Sequence, residues 1–590
     1  MYILGVSCYF HDASAVLLRD GIPVACAAEE SFSRRKHDPD FPERAIRYVL
    51  ATAGIEGRDL DWVVFYEKPF RKWERIWMSI LGRYPRSWPV FREAMRGWLM
   101  DKLWVKARLE RLLDIPADRI LFSDHHLSHA ASAFFCSPFE EAAILTADAV
   151  GEWSTATLGV GRDREIEAIA ELRFPHSIGL LYSTFTALLG FEVNEGEYKV
   201  MGMAPFGEPK YVEDIYRILD LKPDGSIWLD MDYFAYTHSA DRMYSARLLE
   251  LFGPPRKPGT PFFTERSGWP RYWGAPPANF RELARENQRY ADIAASIQRV
   301  TEDMLIAMAR YLHERTGLRR LCMAGGVALN CVANTKILQQ TPFAELFIQP
   351  NAGDGGGALG AALWVYHTVL GQPRRYVMEH AYLGPAFDAG RVQAALAQQG
   401  VAYEEVPHED ALVARVVDAL VAGKVVGWYQ GALEWGPRAL GHRSILADPR
   451  NPEMKDRVNV KIKFREPYRP FAPSVLADCA LTYFGVEEAV RQYPARFMLL
   501  TVPVRDGAGI PAVTHVDGSS RIQTVTEAWE PLYARLLRTF REATGVGVVL
   551  NTSFNLRGEP IVCAPEDALS TFFRSGLDWL VMDRFIVQKA

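Results

Sequence analysis

The chain has 590 residues, more than one hydrophobic core usually organises, so two or more domains are expected. Hydrophobic residues make up 49% and charged residues 24%, a balance that excludes wholesale disorder. With 67 Lys and Arg against 72 Asp and Glu the formal charge is −5, which removes the strongest electrostatic argument for a nucleic-acid binder.

The opening MYILGVSCYFHDASAV reaches His11 and Asp12 after a short apolar run and has no basic leader. No 18-residue stretch is free of charges and breakers, so no spanning helix and no membrane partner are expected. The seven Cys are scattered and form no C-x-x-C pair, which argues against a disulfide framework or a Cys-ligated zinc. The expectation is a cytoplasmic, enzymatic protein.

Residues 2–8 read as an apolar strand ending in a turn at His11–Asp12. Residues 15–18 form a second strand, 19–21 a hairpin turn and 22–28 a third strand. The pattern recurs: strand 142–147 ending at Asp148, strand 154–159, turn 161–163, strand 166–174. Two copies of one α/β unit predict an internal duplication with a ligand between the halves.

Between the copies, residues 67–111 are rich in Trp (73, 77, 88, 98, 104) and net basic, and read as helices over one face. Residues 221–279 are irregular, with Phe262, Phe263, Trp269 and Trp273. They read as a lid, an acceptor-binding element or an ordinary surface excursion. A helix at 290–316 and strands at 321–324 and 346–349 follow. A glycine-rich turn at 351–357 then leads into a helix at 358–370, closing a first domain of 1–370. Gly371-Gln372-Pro373 is the linker. A second α/β domain of 376–590 is expected, with strands at 424–429, 497–503 and 546–550.

Asp124-His125-His126-Leu127-Ser128-His129 is the sharpest motif of the first domain. With Ser123 or Asp124 as cap, His125 and His129 share a helix face at i, i+4 and suit one divalent metal. A capped surface helix shows the same pattern. Asp148 and Asp354 complete a His₂Asp₂ set suited to iron, manganese or zinc. Gly325-Gly326 with Asn330, and the turn holding Gly353 and Gly355, follow strands and open helices, which favours an anion or nucleotide. Glu197 and Lys199 beside Gly196 and Gly202 join charges to a glycine turn, equally an ordinary salt-bridged loop.

In the second domain, Arg438, Arg443 and Ser444 surround a glycine-framed turn. Lys461, Lys463, Arg465 and Arg469 alternate with Phe464, Pro467, Tyr468 and Phe471, and Asn551, Ser553 and Asn555 follow an apolar strand. Cations interleaved with aromatics favour a buried polyanion site over a solvated face.

The segments GVSCYFHDASAVLLRDG, DHHLSHAASAF, GEYKVMGMAPFGEP, AGGVALNCVAN, NAGDGGGALGAAL, EWGPRALGHRSILADPR, KFREPYRPFAPSVL and LNTSFNLRGEPIV resemble the NodU/CmcH family of O-carbamoyltransferases. The match follows the family's motif order and is weakest at 67–111 and 221–279. The resemblance implies an N-terminal duplicated actin-like (ASKHA, RNase H-like) ATPase domain and a C-terminal YrdC-like α/β domain. It implies that the latter makes carbamoyl adenylate from carbamoyl phosphate and ATP, with Mg²⁺. The former then passes the carbamoyl group to a hydroxyl of a small-molecule acceptor.

By position, His125, His129, Asp148 and Asp354 look like the family's metal set, with Fe²⁺ the family's ion. His11 and Asp12 lie where transfer would occur, and either is the candidate base. Lys463, Arg465, Arg438, Arg443, Ser553 and Asn555 look like the carbamoyl phosphate and ATP site. A closed passage for the labile intermediate is expected, and a homodimer is compatible with the reading. A metal-dependent ATPase or phosphatase leaves the basic clusters unexplained, and a nucleotide-binding scaffold predicts gaps in the charged sets. Transfer to tRNA sits poorly with the net charge.

Overall fold

A computed structural model describes residues 1–589. The chain forms two compact units. The first comprises Met1–Val24, Pro39–Trp269 and Ala275–Val377; the second comprises Ala25–Asp38, Pro270–Gly274 and the chain from Met378 onward. The assignment of Ala25–Asp38 to the second unit rests on bonds such as Cys26 N to Leu383 O at 2.8 Å and Arg34 to the carbonyls of Pro560 and Ile561.

The duplication is visible in the sheets. β1 (Tyr2–Ser7), β2 (Ser14–Arg19), β3 (Ile22–Ala28), β4 (Trp62–Phe65) and β5 (Ile120–Phe122) lie in the order β3-β2-β1-β4-β5. β1 runs antiparallel to β2 and parallel to β4, which is parallel to β5. The second sheet repeats this with β6 (Glu141–Ala147), β7 (Ser154–Arg162), β8 (Glu165–Arg173), β9 (Arg320–Ala324) and β10 (Glu345–Ile348), in the order β8-β7-β6-β9-β10 and with the same directions. This is the actin-like arrangement, twice in one chain. The first hairpin loop of each copy is six residues long, 8–13 and 148–153.

The strands form where apolar residues run together because both faces are covered; in β1 every residue from Ile3 to Ser7 is buried. Asp20 and Gly21, at φ 53° and 80°, make the primed turn expected of a Asp-Gly hairpin. In the second copy the turn expected at 161–163 lies later. β7 continues to Arg162, and Asp163 takes the positive φ of 49°.

The helices that bear on the site and the crossovers are α1 (Glu43–Ala53), α2 (Pro69–Gly82), α3 (Trp88–Met100), α4 (Val105–Leu113), α5 (His125–Phe134), α6 (Phe280–Thr316), α7 (Cys331–Gln340) and α8 (Asp354–Trp364). Helices α2 to α4 fill the crossover from β4 to β5, the place α7 occupies between β9 and β10. The Trp-rich segment is therefore an enlarged crossover. Residues 221–279 carry only short elements, among them the helix Ala246–Phe252.

The glycine-rich run corrects one expectation. The helix starts at Asp354, not 358, so Gly355, Gly356 and Gly357 lie inside it. Low helix propensity suggested a loop there; close packing explains the glycines. A Cβ on Gly360 would stand 1.8 Å from Ser128 O of α5, and one on Gly5 of β1 would stand 1.9 Å from Ala358 O. Gly360→Ala is expected to cost about 3 kcal/mol or prevent folding, read as a fall in the urea midpoint. Gly97→Ala, where a Cβ meets nothing within 4 Å, is the control expected to leave the midpoint unchanged or raised.

The second unit is built on a mixed eight-stranded sheet. Its strands are β11 (Glu404–Glu405), β12 (Val426–Tyr429), β13 (Arg443–Ala447), β14 (Ala472–Leu476), β15 (Gln523–Val525), β16 (Val548–Ser553), β17 (Trp579–Met582) and β18 (Phe585–Gln588), in the order β11-β18-β17-β12-β13-β16-β14-β15. Residues 497–503 are not one strand. A 3₁₀ turn, Tyr493–Phe497, precedes a short strand, Thr501–Pro503. Asn551 and Ser553 lie within β16 rather than after it. No helix of the described residues is long and apolar enough to cross a membrane.

Candidate functional site

In the first unit, β5 delivers the chain to α5, whose N-cap is Asp124 in extended conformation. Asp124 does not cap with its own side chain, as expected from sequence; its carboxylate instead accepts from Lys68 Nζ at 2.7 Å. The buried Glu152 performs that task, accepting from His125 N at 3.1 and 3.2 Å and from Lys68 N at 2.8 Å. One turn apart on α5, His125 and His129 are fully buried, with their Nε2 atoms 3.1 Å from each other. His126 points away and bonds Thr146 Oγ1.

Asp148 at the end of β6 and Asp354 at the start of α8 converge on the same point. Asp148 Oδ2 lies 3.1 and 3.5 Å from the two Nε2 atoms, and Asp354 Oδ1 lies 3.7 and 3.4 Å from them. All four side chains are buried and offer donor atoms within 4.8 Å of one another. Around an ion about 2.1 Å from each donor, neighbouring ligands stand about 3.0 Å apart in an octahedron and about 3.4 Å in a tetrahedron. The His–His and His–Asp separations run from 3.1 to 3.7 Å, at or slightly beyond that range. Both Asp354 oxygens are buried and lack a hydrogen-bond donor, which a native interior tolerates where a cation is bound. The four residues fit a divalent metal.

The set is held from outside. Gly326 N donates to Asp148 Oδ1 at 3.1 Å, and a Cβ at Gly326 would stand 2.9 Å from that oxygen. Gly325, at φ 93°, turns the chain against Ala147 O. Behind His125, Glu67 Oε2 is 3.7 Å from Nδ1 and 2.6 Å from the buried Lys72 Nζ. Burial alone would raise the Glu67 carboxyl, but Lys72 and His125 outweigh it and hold it down at about 2. Burial alone would lower His125, but Asp354, Asp148 and Glu67 together push it up to about 10.

His11 and Asp12 stand in the six-residue loop after β1. His11 Nδ1 is 3.0 Å from Asp12 Oδ2, and Nε2 is 4.0 Å from Asp354 Oδ2. Burial would lower His11; Asp354, Asp12 and Asp148 outweigh it and raise it to about 9. His11 therefore stands beside the metal-ligand group without belonging to it. The remaining residues of this unit have other partners. Asn330 caps α7 by accepting from Ala333 N and is paired with Gln298. Glu197 accepts from Ser183 Oγ and Asn194 N, and Lys199 Nζ lies 5.7 Å over the Phe191 ring. Gly353 is the N-cap of α8, facing open space, and Gly355 packs on the Asn351 side chain.

In the second unit, Lys463 ends a π-type turn, Asn459–Lys463. Its buried ammonium donates to Ser553 O, to Ser553 Oγ at 3.2 Å, and to Asn555 O and Oδ1 at 3.2 and 2.8 Å. Burial, then Arg465 and Arg469, hold its pKa well below the ordinary lysine value. Arg465 lies 4.3 Å over the Phe471 ring and donates to Asn459 Oδ1, and Arg469 is 3.5 Å from Glu466. Lys463, Arg465, Arg469, Ser553 and Asn555 thus form one cationic cluster, with Arg438 half-buried in the loop before β13.

Three further residues expected at the ligand are bonded to protein groups. Arg443 is fully buried, donates to the carbonyls of Gln430 and Gly431, and lies 3.7 Å over the Tyr429 ring. Both terminal nitrogens of its guanidinium are thus paired with carbonyls of the turn. Ser444 Oγ accepts from Gly441 N, and Asn551 Nδ2 is spent on Ala439 O, Ser474 Oγ and Gln523 Oε1.

Glu67, Lys72 and Glu152 are the supports that sequence reading missed. The available signal was a charged pair, Glu67-Lys68, directly after an apolar strand. Glu67→Gln is expected to weaken metal binding about 10- to 100-fold, checked by calorimetric titration of the metal into metal-free protein.

A family model described as Carbamoyltransferase N-terminus matches residues 2–363, and one described as Carbamoyltransferase C-terminus matches residues 417–589. An uncharacterized protein of Synechocystis sp. is 44% identical over 100% of this chain and 97% of its own. Nodulation protein NolNO of Sinorhizobium fredii is 36% identical over 98% of this chain and 79% of its own. The 3'-hydroxymethylcephem-O-carbamoyltransferase of Streptomyces clavuligerus is 36% identical over 49% of this chain and 53% of its own.

Proposed function

The chain belongs to the carbamoyltransferase family, and from that premise we propose that this transferase carries out O-carbamoylation in two steps, one in each unit. In the second unit, water cleaves the carbamoyl–phosphate linkage of carbamoyl phosphate to give carbamate and orthophosphate. A carbamate oxygen then attacks the α-phosphorus of Mg²⁺-bound ATP, forming carbamoyl adenylate and expelling pyrophosphate. In the first unit, the hydroxyl oxygen of a small-molecule acceptor attacks the carbamoyl carbon, its proton passes to a base, and AMP leaves.

Lys463, Arg465 and Arg469 neutralise the phosphate charge that builds up in the first step, inside a pocket where burial strengthens each interaction. Ser553 and Asn555 hold the Lys463 ammonium in place. The base of the second step is His11. Asp12 takes its Nδ1 and fixes the ring, and Nε2, directed toward Asp354, accepts the acceptor's proton once the imidazole is neutral, which without a cation on the aspartates requires a pH above about 9. His125, His129, Asp148 and Asp354 would hold the divalent cation. When bound it supplies Lewis acidity at a carbonyl or phosphate oxygen and offsets the negative field of the two aspartates. Glu67 and Glu152 keep His125 aimed at that point.

The observation that carries this reading is the presence, in one chain, of a buried His₂Asp₂ set and a separate Lys–Arg cluster. A metal-dependent ATPase needs only the first. Purified protein given ATP and carbamoyl phosphate without acceptor is expected to release pyrophosphate and accumulate carbamoyl adenylate, identified by mass spectrometry. Orthophosphate release from ATP with no need for carbamoyl phosphate would replace the carbamoyl reading with the ATPase one.

A further inference from the structure

Helix α2 buries two cations and leaves a second apolar face exposed. At 3.6 residues per turn, Phe70, Trp77 and Leu81 fall on one face, while Lys72 and Arg75 fall on another. A helix on the surface of a water-soluble protein normally buries the apolar face. Here Lys72 and Arg75 are buried beside Pro69 and Ile80, at 6% and 7% exposure, with Lys72 turned to Glu67 beside the metal ligands. Phe70, Met78 and Leu81 are 71%, 56% and 61% exposed.

The apolar surface continues past the end of α2. Tyr84 in the connecting turn is 70% exposed and Trp88 at the start of α3 is 55% exposed. Trp88 stacks on Phe91, which packs on Trp77, so the two helices share this face. Five of the sixteen exposed large hydrophobic residues among those described fall between positions 70 and 88, a concentration that marks an interaction surface rather than scattered exposure.

The charge around this patch is opposite to that of the chain. Arg71, Arg86, Arg92 and Arg96 are exposed there, against Glu74 and Glu93, while the whole chain carries −5. Two copies of a net-acidic chain repel, whereas a local basic patch is drawn to an anionic sheet. Exposed Trp and Tyr beside Arg and aliphatic side chains is the composition of helices lying in a membrane interface.

We propose that the outward face of α2 and α3 docks on an anionic lipid surface. Leu81, Tyr84 and Trp88 enter the boundary between headgroups and acyl chains, and Arg86 and Arg92 pair with lipid phosphates. The helices lie on the surface, since neither is long enough to cross it.

The test is co-sedimentation of the full chain with vesicles of phosphatidylcholine alone and of phosphatidylcholine mixed with phosphatidylglycerol. Binding is expected to the mixed vesicles, to fall as salt is raised, and to be about tenfold weaker or more for Leu81→Ser/Trp88→Ser. Arg86→Ser/Arg92→Ser is expected to lose the preference for the anionic vesicles. Circular dichroism and thermal melting, unchanged in both variants, show that loss of binding is not loss of fold. Absence of binding to the mixed vesicles overturns the proposal, as does binding that survives both double variants. So does a wild-type dimer that Leu81→Ser/Trp88→Ser dissociates without any vesicle binding, which would assign the face to a second copy of the chain.

Discussion

Lys463→Ala is expected to reduce carbamoyl adenylate formation about a thousandfold, measured as pyrophosphate release with saturating ATP and carbamoyl phosphate. The size follows from the surroundings of the ammonium. It is buried, and its nearest charges are the cations Arg465 and Arg469, which with burial disfavour its charged form. A pocket arranged this way is under electrostatic strain until an anion enters. The same argument gives a second readout: pyrophosphate is expected to raise the melting temperature of the wild type and to have little effect on Lys463→Ala. Without ligand the variant is expected to be less stable by about 1–3 kcal/mol, because the Ser553 and Asn555 oxygens lose a charged donor, Asn555 Oδ1 keeping only the Ser553 hydroxyl. Lys463→Arg is not expected to rescue, since a planar fork cannot reproduce an ammonium reaching oxygens of residues 553 and 555 from one point. Metal content should be unchanged in both variants.

Asp354→Ala is expected to do the reverse. It should lose metal by at least about a hundredfold in affinity and abolish carbamoyl transfer, while pyrophosphate release continues at the wild-type rate. Asp354 is a cleaner choice than Asp148. Asp148 Oδ1 also accepts from Gly326 N, so its removal disturbs the β9 turn as well. Asp354 oxygens have no such partner. Asp354→Asn keeps the shape of the side chain and removes its charge, and is expected to fall between the two. Chelation of the wild type should reproduce the Asp354→Ala pattern, transfer lost and adenylate formation kept. Parallel loss of both activities in Asp354→Ala would contradict the division into two sites.

Much of this was legible in the chain itself. The repeated hairpins showed because β1, β2 and β6 are largely apolar runs set off by short polar loops. The His125 and His129 pair showed because helical spacing alone puts them on one face. Other features depend on partners far away in sequence. The glycines of α8 looked like a loop because only their close contacts explain them, Gly355 and Gly356 on Asn351, Gly357 on Tyr66 and Gly360 on Ser128. Arg443 looked like a phosphate ligand because a guanidinium fork suits carbonyls as well as phosphates, and only the fold shows which it meets. Asn551 and Ser553 looked like a loop after the strand because polar residues in a central strand require the buried partners that Asn551 finds in Ser474 and Gln523. Glu67 was lost inside the Trp-rich crossover, although it is the residue of that segment nearest the ligands.

The equal loops of the two repeats have a mechanical consequence. His125 and His129 hang from the first sheet and Asp148 from the second, with Asp354 on the helix packed against β1. The four donors can meet only while the two sheets keep one relative position. Any rocking of one repeat against the other pulls the donors apart, so ion affinity and closure form a single coupled equilibrium. By reciprocity, whatever ligand tightens one must tighten the other by the same factor.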